Sequence, residues 1–134
     1  MLQTKIELRV RYAETDMMGI AYHGNYATWF EMARVHMMDE FGYPYREMER
    51  DGYRLPVLEI GVRFRRSVSF DDRVTVEALL RNKPALRIRI EYRLYLGETD
   101  VADGFTLHAF LNPDGRPVRP PARFVEGMDA MFGK

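Results

Sequence analysis

Between Lys5 and Tyr12 apolar and polar side chains alternate one for one: Ile6, Leu8, Val10 and Tyr12 on one side, Lys5, Glu7, Arg9 and Arg11 on the other. A period of two over eight residues predicts a strand with one buried face, and it makes Tyr12 a core residue of that strand. Ala13 to Gly24, with two glycines and short polar residues, reads as a loop. At Asn25 the period changes. Tyr26, Phe30, Ala33, Met37 and Phe41 recur every three or four residues, the stripe of a helix packed against something. Asn25 suits an N-cap, Gly42 suits a C-terminal stop, and Pro44 prevents continuation. Glu31 and Arg34 are spaced to pair on the helix surface. A short helix is expected around 45–50.

Period two then returns and persists. Leu58, Ile60, Val62 and Phe64 share a face, as do Val74, Val76, Ala78 and Leu80. Leu86, Ile88, Ile90, Tyr92, Leu94 and Leu96 form the longest set, and Phe105, Leu107, Ala109 and Leu111 the last. Turn residues divide them at Asp71-Asp72, Asn82-Lys83-Pro84 and Gly97-Glu98-Thr99-Asp100. Consecutive strands on short turns pair antiparallel. One amphipathic helix cannot cover two sheet faces, so the order strand, helix, four strands predicts an α+β domain in which a curved antiparallel sheet wraps around one long central helix. The other sheet face, with Arg87, Arg89, Glu91, Arg93 and Tyr95, is left for solvent or a subunit. Open sheet edges predict a homo-oligomer.

Composition narrows this picture without changing it. At 134 residues, with no repeat or linker, the chain is expected to be a single domain over 1–134. Twenty Lys and Arg balance twenty Asp and Glu, which argues against a nucleic-acid partner, because phosphate neutralisation demands a basic excess. Cysteine is absent, so thiol nucleophiles, disulfides and thiolate metal sites are excluded together. The three histidines, His23, His36 and His108, lack metal-ligand spacing. The charged start cannot serve as a signal peptide, and no apolar run is long enough to span a bilayer. A cytoplasmic protein without a membrane span is the expectation.

The candidate chemistry lies in one segment, Arg11 to Tyr26, where a carboxylate, a histidine and a helix start fall within a few residues. Free N–H groups at a helix start carry partial positive charge and can hold an anion or a developing oxyanion. Asp16 on the same loop could aim at the carbon of that group. Spacing alone, however, favours a plain polar turn for Glu14-Thr15-Asp16 and Gly19, since turn aspartates greatly outnumber catalytic ones. It makes His23 a loop histidine and Tyr12 a core residue. Residue spacing yields a site and no reaction.

The run Val10-Arg11-Tyr12-Ala13-Glu14-Thr15-Asp16, then Gly19, Tyr22-His23, Asn25-Tyr26 and Glu31-Met32-Ala33-Arg34, resembles the signature of the 4-hydroxybenzoyl-CoA thioesterase superfamily, closest to its Tol–Pal-associated acyl-CoA thioesterase branch. The resemblance covers about the first third of the chain and implies the hotdog fold. It implies an acyl-CoA thioester hydrolase with Asp16 as catalytic carboxylate and with Tyr12 and His23 in the site. An ordinary aspartate ionises near pH 3.9, and a thiol leaves readily, so one carboxylate suffices as general base or nucleophile. Backbone amides of His23 and Gly24 would polarise the thioester oxygen.

Coenzyme A enters as part of the substrate, with no separate cofactor. Its phosphates call for basic groups. The resemblance points to Lys83 in the turn Arg81-Asn82-Lys83-Pro84, and Arg63, Arg65 and Arg66 form a second cluster for which a solvated strand face is the plainer reading. Met17, Met18 and Met37 are candidates for an adaptable acyl pocket. A dimer or a dimer of dimers (a homotetramer) with the site at the subunit interface is expected. A hotdog domain that binds acyl-CoA or an acyl carrier protein without turnover is the alternative. A dehydratase would require a histidine-centred motif on the helix instead.

Overall fold

The structure, a computed structural model, describes all 134 residues. Strand β1 (Leu2–Arg9) leads through a 3-10 turn at Tyr12–Glu14 into helix α1 (Asn25–Phe41) and the short helix α2 (Tyr45–Arg50). Strands β2 (Val57–Phe64), β3 (Arg73–Leu80), β4 (Arg87–Leu96) and β5 (Thr99–Ala109) follow, and helix α3 (Ala122–Phe132) closes the chain. The five strands form one antiparallel sheet in the order β1-β3-β4-β5-β2. β1 and β2 are its edges. Helix α1 packs on the inner face, burying Trp29, Phe30, Ala33 and Met37. This is the α+β arrangement of a sheet around one long helix.

Local chemistry explains most boundaries. The Gly42 amide bonds the Met38 and Asp39 carbonyls at 3.1 Å each, with Gly42 at φ +97°, a left-handed stop that costs glycine nothing. The helix start differs from the expected cap. Gly24 occupies the cap position, and Asn25 is the first helical residue, its Nδ2 donating to the Glu14 carbonyl at 2.7 Å. The side chain ties the loop to the helix instead of capping a first-turn amide.

Phe30 stacks on Tyr92 of β4 with centroids 4.2 Å apart and planes 5° from parallel. The helix comes this close because β5 carries Gly104 beneath it. A Cβ there would lie 2.9 Å from the Phe30 ring and press into the Gly61 carbonyl of β2.

Three expectations need correction. β1 ends at Arg9, and Tyr12 is 77% exposed on the 3-10 turn, touching Phe70 edge-on at 5.6 Å. The inner face of β5 is Ala102, Gly104, Thr106, His108 and Phe110, whereas Phe105, Leu107 and Ala109 face the other way and are only half-buried. Arg34 does not pair with Glu31. It turns inward, 6% exposed, donating from Nε to Tyr45 at 3.0 Å and from Nη1 to Tyr92 at 3.1 Å.

The last two share one cause. Tyr92 bonds Thr106 at 2.6 Å, Thr106 bonds His108 Nε2 at 2.8 Å, and His108 Nδ1 meets the Pro56 carbonyl at 3.0 Å. A carbonyl only accepts, so Nδ1 carries the proton. Burial, followed by the charge of Arg34, pushes the His108 pKa down to about 4, so the ring is neutral and Nε2 accepts. Every bond then runs one way, Arg34 to Tyr92 to Thr106 to His108 to Pro56. A polar face becomes the core face because each of its polar atoms is satisfied.

Candidate functional site

The segment from Arg11 to Asn25 folds back on itself at the N-terminus of α1. Thr15 and Ala21 form an isolated antiparallel bridge, the Ala21 amide bonds the Val68 carbonyl at 2.8 Å, and the Tyr22 amide bonds the Glu14 carbonyl at 2.8 Å. Glu14 anchors this loop. Its carboxylate is 6% exposed and accepts from the Arg11 amide at 2.8 Å and the Trp29 indole at 2.9 Å, with the Arg11 guanidinium at 3.4 Å. Burial raises its pKa, but the three donors outweigh burial and hold it below the ordinary carboxylate range.

Two residues on, Asp16 sits at the first position of a tight turn that closes on Gly19, whose amide bonds the Asp16 carbonyl at 3.0 Å. Gly19 takes φ +79°, which the turn requires. Asp16 Oδ1 accepts the Met18 amide at 2.9 Å, an Asx arrangement that fixes the carboxylate plane. Its Oδ2 accepts from no protein group. The polar turn is real, and it leaves one carboxylate oxygen free.

Asp16 and His23 line one cleft of about 310 Å³ together with Met18, Tyr26, Phe64, Arg65 and Arg66. His23 lies against Tyr22 at 4.4 Å and meets Phe64 edge-on at 6.4 Å, and its ring nitrogens bond no protein group. The amides of His23 and Gly24 donate to no protein acceptor, unlike those of Asn25 and Tyr26, which bond the Tyr22 and His23 carbonyls. Glycine is required at position 24 on steric grounds, for a Cβ there would lie 2.6 Å from the Tyr22 ring. A half-buried carboxylate oxygen and a pair of free helix-start N–H groups therefore sit beside one cleft, the pairing needed to act on a carbonyl while stabilising its oxygen.

Other expected residues lie elsewhere. Tyr12 points into solvent away from the cleft. Lys83 donates to the Gly133 carbonyl at 2.7 Å and pairs with Asp129 at 2.5 Å, clamping α3. It stands beyond the far end of β3, roughly 25 Å along that strand from the cleft. A turn lysine reads from sequence as a free cation, and nothing in its neighbourhood announces the helix that returns to meet it. Arg63 lies on the outer sheet face opposite Asp103. Arg65 lines the cleft while pairing with Asp103 at 2.6 Å, and Arg66 lines it with no ion pair. Met18 is in the cleft, Met17 is fully exposed and Met37 is core. A second groove of about 360 Å³ on the outer face is walled by paired charges, Arg81 with Glu91 and Arg93 with Asp100, and holds no comparable constellation.

Sequence reasoning overlooked Glu14 and Arg34. The chain's single tryptophan gave a signal for the first, since a buried indole N–H needs an acceptor. For Arg34 the signal was its place one turn beyond Phe30 on the apolar stripe.

Comparison with known proteins agrees with this geometry. YneP of Bacillus subtilis, whose name proposes acyl-CoA thioesterase activity, is 33% identical over 92 residues, 69% of this chain and 67% of that protein. A DHNA-CoA thioesterase from Staphylococcus aureus superposes with a TM-score of 0.92 at 31% identity, covering 98% of this chain and 91% of the other. The Thermus thermophilus protein TT1821 superposes at 0.89 with 32% identity, covering 96% and 98%. The model of the thioesterase-like superfamily matches residues 10–130. With nearly its whole length matched and the sheet wrapped as in its structural neighbours, the chain belongs to the thioesterase-like superfamily and has its hotdog fold.

Proposed function

We propose that the protein hydrolyses acyl-CoA thioesters, with Asp16 as the reacting carboxylate and the His23 and Gly24 amides as the oxyanion site. The observation that carries the reading is the unengaged Oδ2 of Asp16 in a cleft that His23 also lines, with the His23 and Gly24 amides unbonded at the adjoining helix start. The names of YneP and of the Staphylococcus aureus enzyme support it. The thioester carbonyl oxygen accepts from the two amides, which polarises the carbon. Oδ2 removes a proton from a water that attacks that carbon, the tetrahedral oxyanion is held by the amides, and its collapse expels coenzyme A as a thiolate that takes up the proton. If Oδ2 attacks the carbon directly, a mixed anhydride forms and water cleaves it. Rapid quench separates the routes: coenzyme A released ahead of the acid marks the anhydride, and simultaneous release marks the general base. No cofactor is needed for either. Arg66, with Arg65 beside it, is the group we assign to the phosphates of coenzyme A.

We also propose that the site is completed at an interface between two copies. Edge strand β2 exposes Val57, Leu58, Ile60 and Phe64 to between 43% and 51%, next to exposed Met32 and Val35 of α1. An apolar open edge of this kind pairs with another strand. With Gly61 on the two-fold axis, antiparallel β2 strands set Glu59 opposite the second copy's Arg63 twice, and Ile60 opposite its Val62.

Asp16→Asn retains the Oδ1 bond to Met18 and removes the charge. Turnover of an acyl-CoA panel is expected to fall at least 100-fold with the melting temperature within about 2 °C of wild type. Near-normal turnover by the variant sinks the assignment, and a wild-type protein that binds but never cleaves thioesters is the binding domain instead.

A further inference from the structure

The chain has no cysteine, so its nine methionines hold all of its sulfur. Met37, Met38, Met48 and Met128 are buried, whereas Met1, Met17, Met18, Met32 and Met131 are exposed. Two of the exposed set stand together in the turn after Asp16, and Met18 is the one methionine that lines the Asp16 cleft. It is 77% exposed, and its backbone amide is the donor that fixes Asp16 Oδ1. A thioether in this place is open to small oxidants, and the turn that sets the carboxylate also sets its position. Oxygen added to it enters a cleft whose donors lack protein acceptors. The Arg66 guanidinium lines that cleft with no ion pair, and the His23 and Gly24 amides are unbonded at the adjoining helix start.

We propose that Met18 is a modification site, where oxidation by a hydroperoxide reversibly weakens substrate binding. The inference rests on the thioesterase reading and concerns regulation of that same site. The Sδ lone pair attacks one peroxide oxygen, and the S–O bond forms as the O–O bond breaks. The proton on the attacked oxygen passes to the departing one, which leaves as water or an alcohol. Sulfur gives up two electrons and the peroxide takes them. The product is a neutral sulfoxide, a strong acceptor where an apolar group lined the wall. On a flexible side chain, its oxygen meets the unpaired donors at high effective concentration and competes for them with the carbonyl and phosphate oxygens of the substrate. Methionine sulfoxide reductase removes the oxygen as water while two thiols become a disulfide. Met17, fully exposed but outside the cleft, is oxidised without this effect.

The test is equilibrium binding of a 2-oxoalkyl-CoA thioether, which keeps the carbonyl and cannot be hydrolysed, before and after treatment with hydrogen peroxide. Peptide mass spectrometry locates the added oxygen. Met17 and Met18 are expected to be oxidised ahead of the buried methionines, and the dissociation constant to rise at least tenfold as Met18 is converted. Methionine sulfoxide reductase with dithiothreitol is expected to restore it. Met17→Leu is expected to lose affinity on oxidation as wild type does. Met18→Leu, compared with its own untreated state, is expected to shift less than twofold. Full conversion of Met18 with binding unchanged, an equal loss in Met18→Leu, or oxidation of Met18 no faster than Met37 overturns the proposal, as does failure of the untreated protein to bind. Absence of wild-type turnover, by contrast, removes the hydrolase reading and leaves the dissociation constants to judge Met18.

Discussion

Glu14 and Asp16 stand two residues apart and do opposite work. Glu14 is buried under three donors and shapes the loop, while Asp16 spends one oxygen on the turn and keeps the other free. Substituting Glu14 by Gln places an amide N–H among donors and removes the charge that Arg11 and Trp29 face. A buried bond set of this kind costs about 2 kcal/mol when broken, so the denaturation midpoint is expected to fall measurably and turnover to fall with it as the loop loosens. At Gly24 the argument is steric. Gly24→Ala keeps a helical φ of −62° but pushes on Tyr22 beside the free amides. Its kcat is expected to drop about tenfold to a hundredfold with melting temperature nearly unchanged, as for loss of one oxyanion donor. Asp16 and His23 were singled out because the motif names them, and the structure sets both on one cleft. Glu14 sat within the same motif and was read only as turn, since its role depends on an indole fifteen residues away.

Most elements with a single clean period were legible, although β1 starts at Leu2 and stops at Arg9, short of the Tyr12 that the alternation included. The helix from 25 to 41 and the strands near 58–64, 74–80 and 87–96 appear where periodicity put them. β5 was misread because its core face carries Gly104, Thr106 and His108, whereas Phe105 and Leu107 lie on the outer face, where Arg89 covers the Phe105 ring at 4.1 Å. Hydrophobic patterning assigns faces by the cost of burying polar atoms, and that cost vanishes when each atom finds a partner across the sheet. Gly104 marks the point where helix and sheet come closest. Gly104→Ala forces the Phe30 ring and the β2 backbone apart, and a loss of about 2–3 kcal/mol is expected from chemical denaturation.

For the molecule as a whole, acid should be the vulnerable direction. His108 binds its proton near pH 4 when folded and near 6.5 when unfolded, so the unfolded chain holds more protons between those values. Stability is complete above pH 6.5, declines as the pH falls, and levels off below about 4, a loss on the order of 3 kcal/mol. Glu14, whose folded pKa is depressed, adds its own loss as the pH drops below about 4.5. Urea midpoints at pH 7.5, 5.5 and 4.5 check this, and a flat profile contradicts a neutral His108. The β2 edge makes a separate claim at this scale. Ile60→Glu should convert a dimer into monomers by light scattering, together with loss of turnover if the interface completes the site.

The fixed direction of the bonds from Arg34 to Pro56 also has a magnetic signature. Hydroxyl protons of Tyr92 and Thr106 point one way in a sealed interior, so they should exchange with solvent slowly enough to give resolved resonances in water. The imidazole of His108 should show the nitrogen shifts of a single tautomer, protonated at Nδ1, unchanged from pH 8 to pH 5.5.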